Sequence, residues 1–279
     1  MEAPTGATRL AAVIGSPVRH SLSPTIHNAA FAAAGLDWVY VALEVAEGRV
    51  PEALAGMRAL GVGGLSVTMP HKEAVADACD RLTDDAAILG AVNCVVPHEG
   101  ELVGHNTDGP GFVAALAADG VEPVARRCVV LGAGGAARSV ALALARAGAE
   151  EVAVVNRTEE RARRAVEMLG SRGRLVGPTE VFGAVRAAEL VVNATSVGMG
   201  RPAPDDLPVD PGLLHEGQVV IDLVYQPLET PLLAAARDRG AVTVNGLPML
   251  VHQAAVAFHL WTGVEAPIAA MDSAVRASL

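Results

Sequence analysis

Residues 128–138 read "CVVLGAGGAAR", and this stretch decides how the rest of the chain is to be read. An apolar, strand-like run ends at Leu131, Gly132 and Gly134 follow at once, and an alanine-rich helical stretch opens behind them. The spacing G-x-G-x-x-G/A carries meaning only in this strand–turn–helix setting. Gly132 permits the tight turn and Gly134 lets the backbone approach a pyrophosphate. Ala137 takes the third position, where a small residue lets the helix pack on the strand. The helix start offers free N–H groups and a partial positive charge to phosphates. A dinucleotide site on a parallel sheet is the expectation.

The end of the next strand points to which dinucleotide. An NAD site usually places an acidic residue there, about 20 residues on, to grip the ribose 2′-hydroxyl. This chain has Asn156, Arg157 and Thr158 instead, with Arg161 a helical turn later. A carboxylate would repel a 2′-phosphate, whereas two guanidinium groups can bracket it with charge-assisted hydrogen bonds. NADP is therefore expected. Arg163 and Arg164 stand close by, so an ordinary solvated basic helix is the competing reading.

Working outward, short apolar runs alternate with helical stretches along most of the chain. Residues 9–15, 38–45 and 63–69 read as strands, and 23–35, 50–61 and 72–79 as helices. The first helix has Ser23 as its expected N-cap, Pro24 at the first helical position and Gly35 past its end. Such alternation argues for a mostly parallel sheet covered by helices. Residues 91–105 break the pattern as two strand runs flanking a hairpin loop at 97–100. A bridging helix over 107–120 follows, and then a second strand–helix series begins at Cys128. Two series predict two α/β domains. The helical stretches near 247–261 and 265–278 could cap the second series or return to the first, and periodicity does not decide. The proline-rich, acidic run 199–212 suits an exposed connection.

The 279 residues can bury a sizeable core, and 51% of them are apolar. No run approaches the roughly 18 apolar residues of a membrane span. The start, "MEAPTGATRL", lacks the basic, apolar and small-residue segments of a signal peptide, so a soluble cytoplasmic protein is expected. A net charge of −10 disfavours nucleic acid as a partner. Cys79, Cys94 and Cys128 show no metal-ligand spacing and read as small buried apolar residues.

Of 21 basic residues, 20 are arginine, and the one lysine is Lys72 in "SVTMPHK", residues 66–72. A parallel strand ends there at Met69, with Pro70 expected at the following helix start, so Lys72 should face the ligand-binding edge of the sheet. Arginine serves solubility as well as lysine does but cannot release its proton at working pH, so a lone lysine suggests proton transfer. A surface accident explains the count equally well. "GHNTDG", residues 104–109, shifts the balance, because Asp108 could pair with Lys72 and accept a substrate hydroxyl. An N-cap role for that aspartate is the competing reading. Ser21 and Ser23, at a helix N-terminus, suit an anionic carboxylate, though Ser23-Pro24 is also a standard helix start.

Together with "SLSP" (21–24), "GAVNCV" (90–95), "NATSVGM" (193–199), "DLVYQP" (222–227) and "NGLPMLVHQAA" (245–255), these motifs make the chain resemble the shikimate dehydrogenase family over nearly its whole length. The resemblance implies a mostly parallel α/β substrate domain (1–106 and 246–279) and a Rossmann-type NADP domain (107–245), with the C-terminal helices packing back on the first. It implies NADP-dependent, reversible reduction of 3-dehydroshikimate to shikimate in aromatic amino-acid biosynthesis, without a metal. Lys72 and Asp108 would form the acid/base dyad. Ser21, Ser23 and Tyr225 would hold the substrate carboxylate, and Thr68, Asn93, Asp108 and Gln253 the ring hydroxyls.

On the cofactor side the resemblance assigns Gly132, Ala133, Gly134, Gly135 and Ala136 to the pyrophosphate, and Asn156, Arg157, Thr158 and Arg161 to the adenosine end. Thr195 also joins the cofactor site, Leu223, Gly246 and Met249 the nicotinamide side, and Asp84 a peripheral contact. His71 and His105 match no catalytic position and read as packing or solvent-facing groups. Many relatives have asparagine where Ser66 stands. Quinate or aminoshikimate dehydrogenases of the same family are the alternatives, with a non-catalytic NADP-sensing module behind them. Small-molecule ligands are the expected partners, with a homodimer as the candidate assembly.

Overall fold

The structure is a computed structural model and describes residues 3–279. It divides into two compact units. The first runs to Gly111 and resumes at Val251, and the second spans Phe112–Leu250.

The first unit begins β1 (Arg9–Gly15), α1 (Ser23–Ala33), β2 (Trp38–Glu44), α2 (Val50–Ala59), β3 (Gly64–Val67) and α3 (Lys72–Ala78). It continues β4 (Arg81–Leu82), α4 (Asp84–Leu89), β5 (Cys94–His98), β6 (Glu101–His105) and α5 (Asp108–Ala118), the last running on into the second unit. The six strands are ordered β2-β1-β3-β5-β6-β4. β1 lies parallel between β2 and β3, whereas β5 runs antiparallel to both β3 and β6. The β5–β6 hairpin has a loop of only Glu99 and Gly100, both with positive φ, so Pro97 and His98 belong to the strand and not to the expected loop. A two-residue turn of that type matches the twist of the flanking strands.

Period-2 alternation splits β1 between two faces. Ala12 and Ile14 join Leu65, Val67, Leu54, Met57 and Val75 in a core under α2 and α3. Ala11 and Val13 face the other way, on the side of their β2 partners Tyr40 and Ala42. An aromatic layer covers this second face. His27 and Phe31 of α1 meet Tyr40, Trp38, Phe258 and Trp261 with ring centroids 4.4–5.5 Å apart. Phe258 and Trp261 lie on α10 (Leu247–Thr262), which precedes α11 (Ile268–Arg276). Trp261 Nε1 donates to the carbonyl of Val95 at 3.1 Å, so the C-terminal helices return to the first sheet. Asn28 fixes α1 against β2, donating to the Tyr40 carbonyl at 2.9 Å and accepting from the Tyr40 amide at 2.8 Å.

Two local expectations need correction. Leu22, not Ser23, is the N-cap of α1, and no side chain caps that helix; Ser23 is already helical, with Pro24 in the first turn. Pro70 sits in a turn two residues before α3, after a cis Met69–Pro70 peptide, and helix geometry starts only at Lys72.

The second unit contains β7 (Arg127–Leu131), α6 (Gly135–Arg146), β8 (Glu151–Val155), α7 (Glu159–Glu167), β9 (Gly173–Leu175) and α8 (Val181–Ala187). β10 (Leu190–Asn193), β11 (Val219–Asp222), α9 (Pro231–Asp238) and β12 (Val242–Val244) complete it. The order β12-β11-β10-β7-β8-β9 is parallel throughout, the doubly wound Rossmann arrangement with its switch point between β7 and β10. Strands buried on both faces read as unbroken apolar runs, as "CVVL" and "LVV" do.

His27 shows what closing the first core costs. It is 1% exposed, stacks on Tyr40 with the rings 13° apart, and burial lowers its pKa from 6.5 to about 3. The folded chain keeps it neutral while the unfolded chain takes up a proton below pH 6.5. Its contribution is therefore complete above that pH and is lost as pH falls towards 3, at about 1.4 kcal/mol per pH unit. His27→Phe should flatten that limb of the stability curve. Urea unfolding at a series of pH values checks it, and an unchanged slope would refute it.

Candidate active site

Because β1 and β3 are parallel neighbours, their carboxyl ends deliver two loops to one edge of the sheet. The Thr68 amide donates to Ile14 O at 2.9 Å and the Ser16 amide to Met69 O at 3.0 Å. The first loop carries Ser21 and Ser23, where the Ser23 amide donates to Ser21 Oγ at 3.3 Å. The second carries Thr68 and Lys72. A side chain on Gly15 would run into Thr68, so the two loops close together only over glycine. His71 is buried and its Nε2 lies 2.7 Å from the Val45 carbonyl, fastening the turn before Lys72 to the end of β2. His105 is half-buried, and burial holds its pKa below the usual histidine value.

The antiparallel β5 brings Asn93 to the same edge, where its carbonyl accepts from the Val67 amide at 2.8 Å. Asp108 opens α5 just beyond β6. Lys72 Nζ donates to Asp108 Oδ2 at 2.5 Å, and Asn93 Nδ2 donates to Asp108 Oδ1 at 2.7 Å. Asn93 Oδ1 accepts from the Thr107 amide at 2.7 Å, and Asn106 Oδ1 from the Asp108 amide at 3.2 Å. Asn106 is anchored in turn by donating to Ala91 O at 3.0 Å. The Lys72 and Asp108 side chains remain 21% and 11% exposed, so the pair is screened yet reachable. Gln253 of α10 faces the same helix, since a Cβ on Gly111 would come within 2.5 Å of the Gln253 backbone nitrogen. Ser21, Ser23, Thr68, Lys72, Asn93, Asp108 and Gln253 thus all belong to the first unit, as does exposed Asp84 at the start of α4.

Tyr225, expected at the substrate carboxylate, belongs to the second unit, as do the cofactor-side residues other than Asp84. A cleft of about 460 Å³ lies at its switch point, lined by Gly132–Gly134, Asn156, Arg157, Thr195 and neighbours. Gly132 has φ 115°, and a Cβ there would stand 3.0 Å from Ala194 O. Gly134 is the N-cap of α6 with no side chain capping it, and a Cβ on Gly134 or Gly135 would meet nothing within 4 Å. An open helix N-terminus with clear space in front of it fits a pyrophosphate. On α7, Arg163 pairs with Glu159 at 2.6 Å and Arg164 with Glu160, whereas Arg157 and Arg161 make no ion pair among the described residues. The two arginines expected to meet a 2′-phosphate are the two left uncommitted. Leu223 and Gly246 lie close together, leaving no room for a side chain on Gly246. No group of three metal-binding side chains occurs among the described residues.

Family models match this division of the chain: the shikimate dehydrogenase substrate binding domain over 13–95, shikimate/quinate 5-dehydrogenase over 115–199, and the shikimate 5′-dehydrogenase C-terminal domain over 246–276. The NADP(+) shikimate dehydrogenase of Moorella thermoacetica is 48% identical over 98% of this chain and 94% of its own length.

The chain belongs to the shikimate dehydrogenase family.

The Thermus thermophilus shikimate dehydrogenase, solved with NADP(H) and shikimate, superposes with a TM-score of 0.90 at 41% identity over 98% of this chain and 100% of that one. Quinate dehydrogenase from Corynebacterium glutamicum, solved with NAD, gives a TM-score of 0.90 at 32% identity over 98% and 99%. Within this shikimate dehydrogenase fold, Thr107 and Asn106 do more than the sequence alone disclosed: both are buried and shape the turn that aims Asp108. The available signal was a polar triplet at the end of an alternating strand. Asn93→Ala would strand the Thr107 amide and unpair Asp108 Oδ1 together. A loss of about 1–3 kcal/mol in stability is expected from thermal unfolding, and wild-type stability would show that the bonds carry nothing.

Proposed function

We infer that the chain catalyses the NADP-dependent, reversible reduction of 3-dehydroshikimate to shikimate in aromatic amino-acid biosynthesis. The observation that carries the mechanism is the 2.5 Å contact between the chain's single lysine and Asp108. In this reading the first unit is the substrate domain and the second the NADP domain.

When bound, NADPH supplies the hydride. The ketone oxygen then develops negative charge, which needs a nearby cation and a proton. Lys72 offers both, as electrostatic stabiliser and general acid. Asp108 holds the ammonium in place and accepts a hydrogen bond from the substrate hydroxyl. Because Asn93 donates to its other oxygen, Asp108 cannot swing away with the lysine. In the reverse direction the same pair takes the proton from the hydroxyl. Ser21, Ser23 and Tyr225 hold the carboxylate, and Thr68, Asn93 and Gln253 the ring hydroxyls. Gly132–Ala136 and Thr195 line the phosphates and Asn156–Arg161 the adenosine end, with Leu223, Gly246 and Met249 on the nicotinamide side and Asp84 peripheral. A cytoplasmic location, where NADPH is available as reductant, and a homodimeric assembly complete the proposal.

Positioned proton transfer is worth on the order of a hundred- to ten-thousand-fold. Lys72→Ala should therefore lower kcat by at least the smaller factor with little change in KM for shikimate. Lys72→Arg should fail as well, because its charge stays while the transferable proton is lost. Steady-state rates with an unchanged kcat would remove Lys72 from the chemistry. On the cofactor side, Arg157→Ala should raise KM for NADP far more than KM for NAD. Equal effects on the two cofactors would sink the 2′-phosphate assignment.

A further inference from the structure

Asp222 is fully buried at the end of β11, and none of the roles assigned above uses it. Burial pushes its pKa upward, so its charge is kept at a cost that sheet formation does not require. The β11 backbone already pairs with β10 and β12 without the side chain.

Its contacts explain the retention. Asp222 Oδ2 accepts from Thr230 Oγ1 at 2.7 Å, while Oδ1 accepts from the Val224 amide at 3.1 Å and from Asn193 Nδ2 at 2.9 Å. Asn193, equally buried, turns its own Oδ1 to the loop after β10, accepting from Thr195 Oγ1 at 2.7 Å and from the Thr195 amide at 3.1 Å. On the other side the Val224 carbonyl accepts from the Gly246 amide at 3.1 Å. The carboxylate therefore ties the segments leaving β10 and β11 directly, and Val224, which it holds by the amide, carries the tie on to Gly246 after β12 through its carbonyl. Three donors converge on it, and an ionised carboxylate accepts all three at once whereas an amide does not.

We propose that Asp222 is a positioning residue that sets the spacing of Leu223 and Gly246 and thereby the fit of the nicotinamide half of NADP. This rests on the cofactor reading given above. The adenosine half depends on Arg157, Arg161 and the turn after β7, none of which the carboxylate contacts; Thr195, which lines that cleft, is held by Asn193 Oδ1 and not by Asp222 itself.

Calorimetric titration of Asp222→Asn with NADP+ and, separately, with adenosine 2′,5′-bisphosphate tests it. Affinity for NADP+ should fall about tenfold or more, the scale of a lost charge-assisted hydrogen bond, while the bisphosphate binds within about twofold of wild type. Parallel weakening of both ligands would mean a merely structural role, and unchanged NADP+ binding would mean none; either overturns the proposal. Should that variant not fold, Thr230→Val and Thr230→Ser carry the test. The serine keeps the donor to Asp222 and should bind NADP+ as wild type does, while the valine should show the same selective loss. Identical behaviour of the two would overturn the proposal. Wild-type protein that binds neither ligand would instead refute the cofactor reading itself.

Discussion

One carboxylate, Asp108, holds Lys72 on one oxygen and Asn93 on the other, and much of the first unit is arranged to permit that. The three side chains come from the start of α3, the residue before β5 and the start of α5. They converge because β5 runs antiparallel to β3, which places Asn93 level with Val67 at the edge where the parallel strands also end. Asn93 is then fixed in orientation: its amide nitrogen serves Asp108 and Thr107, and its oxygen takes the Thr107 amide and keeps a second lone pair. An ammonium paired with a pinned carboxylate keeps its position while a proton comes and goes. With a mobile carboxylate it would follow its partner.

The second unit meets a different constraint, that of binding a polyanion on an acidic chain. With a net charge of −10 there is no general attraction for phosphate, so it must be local. The uncapped start of α6 supplies partial charge without a side chain. The charge pattern in and just before α7 supplies the rest, because Glu159 and Glu160 pair with the arginines one turn further on, whereas Arg157 and Arg161 have no ion pair among the described residues. The basic helix that looked like a solvated face in the sequence is thus sorted into paired and unpaired halves. That sorting, more than the count of arginines, supports recognition of a 2′-phosphate.

Where residue type and local spacing determine the structure, the sequence was readable. β1 falls on residues 9–15 as its apolar run and glycine end suggest, and the glycine turn after β7 takes the positive φ that its first glycine implies. Three features were not readable, each for a physical reason. β4 has only two residues, too few for any periodicity to register, and α4 after it has only six, too few for a helical period to show. The destination of α10 depends on which sheet offers a partner to Trp261, and the Val95 carbonyl is 166 residues away. The Asn193–Asp222–Thr230 chain likewise joins side chains from separate strands and a helix cap. In sequence Asn193 and Asp222 each look like a lone polar residue closing an apolar run, and Thr230 like an ordinary helix N-cap.

The arginine-rich composition bears on the dyad in a way that the count alone does not. Surface positions across the chain show that arginine satisfies every demand for exposed positive charge, including the paired positions on α7 and α11. Lys72 stands elsewhere, four-fifths buried against a carboxylate that is itself fixed. A guanidinium at that point would offer Asp108 a two-pronged contact that holds both oxygens, and one of them already serves Asn93. It would also keep its proton throughout the reaction. The ammonium avoids both conflicts: it is small enough to bind one oxygen, and it can give the proton up. Under the proposed mechanism, the geometry and the chemistry both favour lysine over arginine at this position.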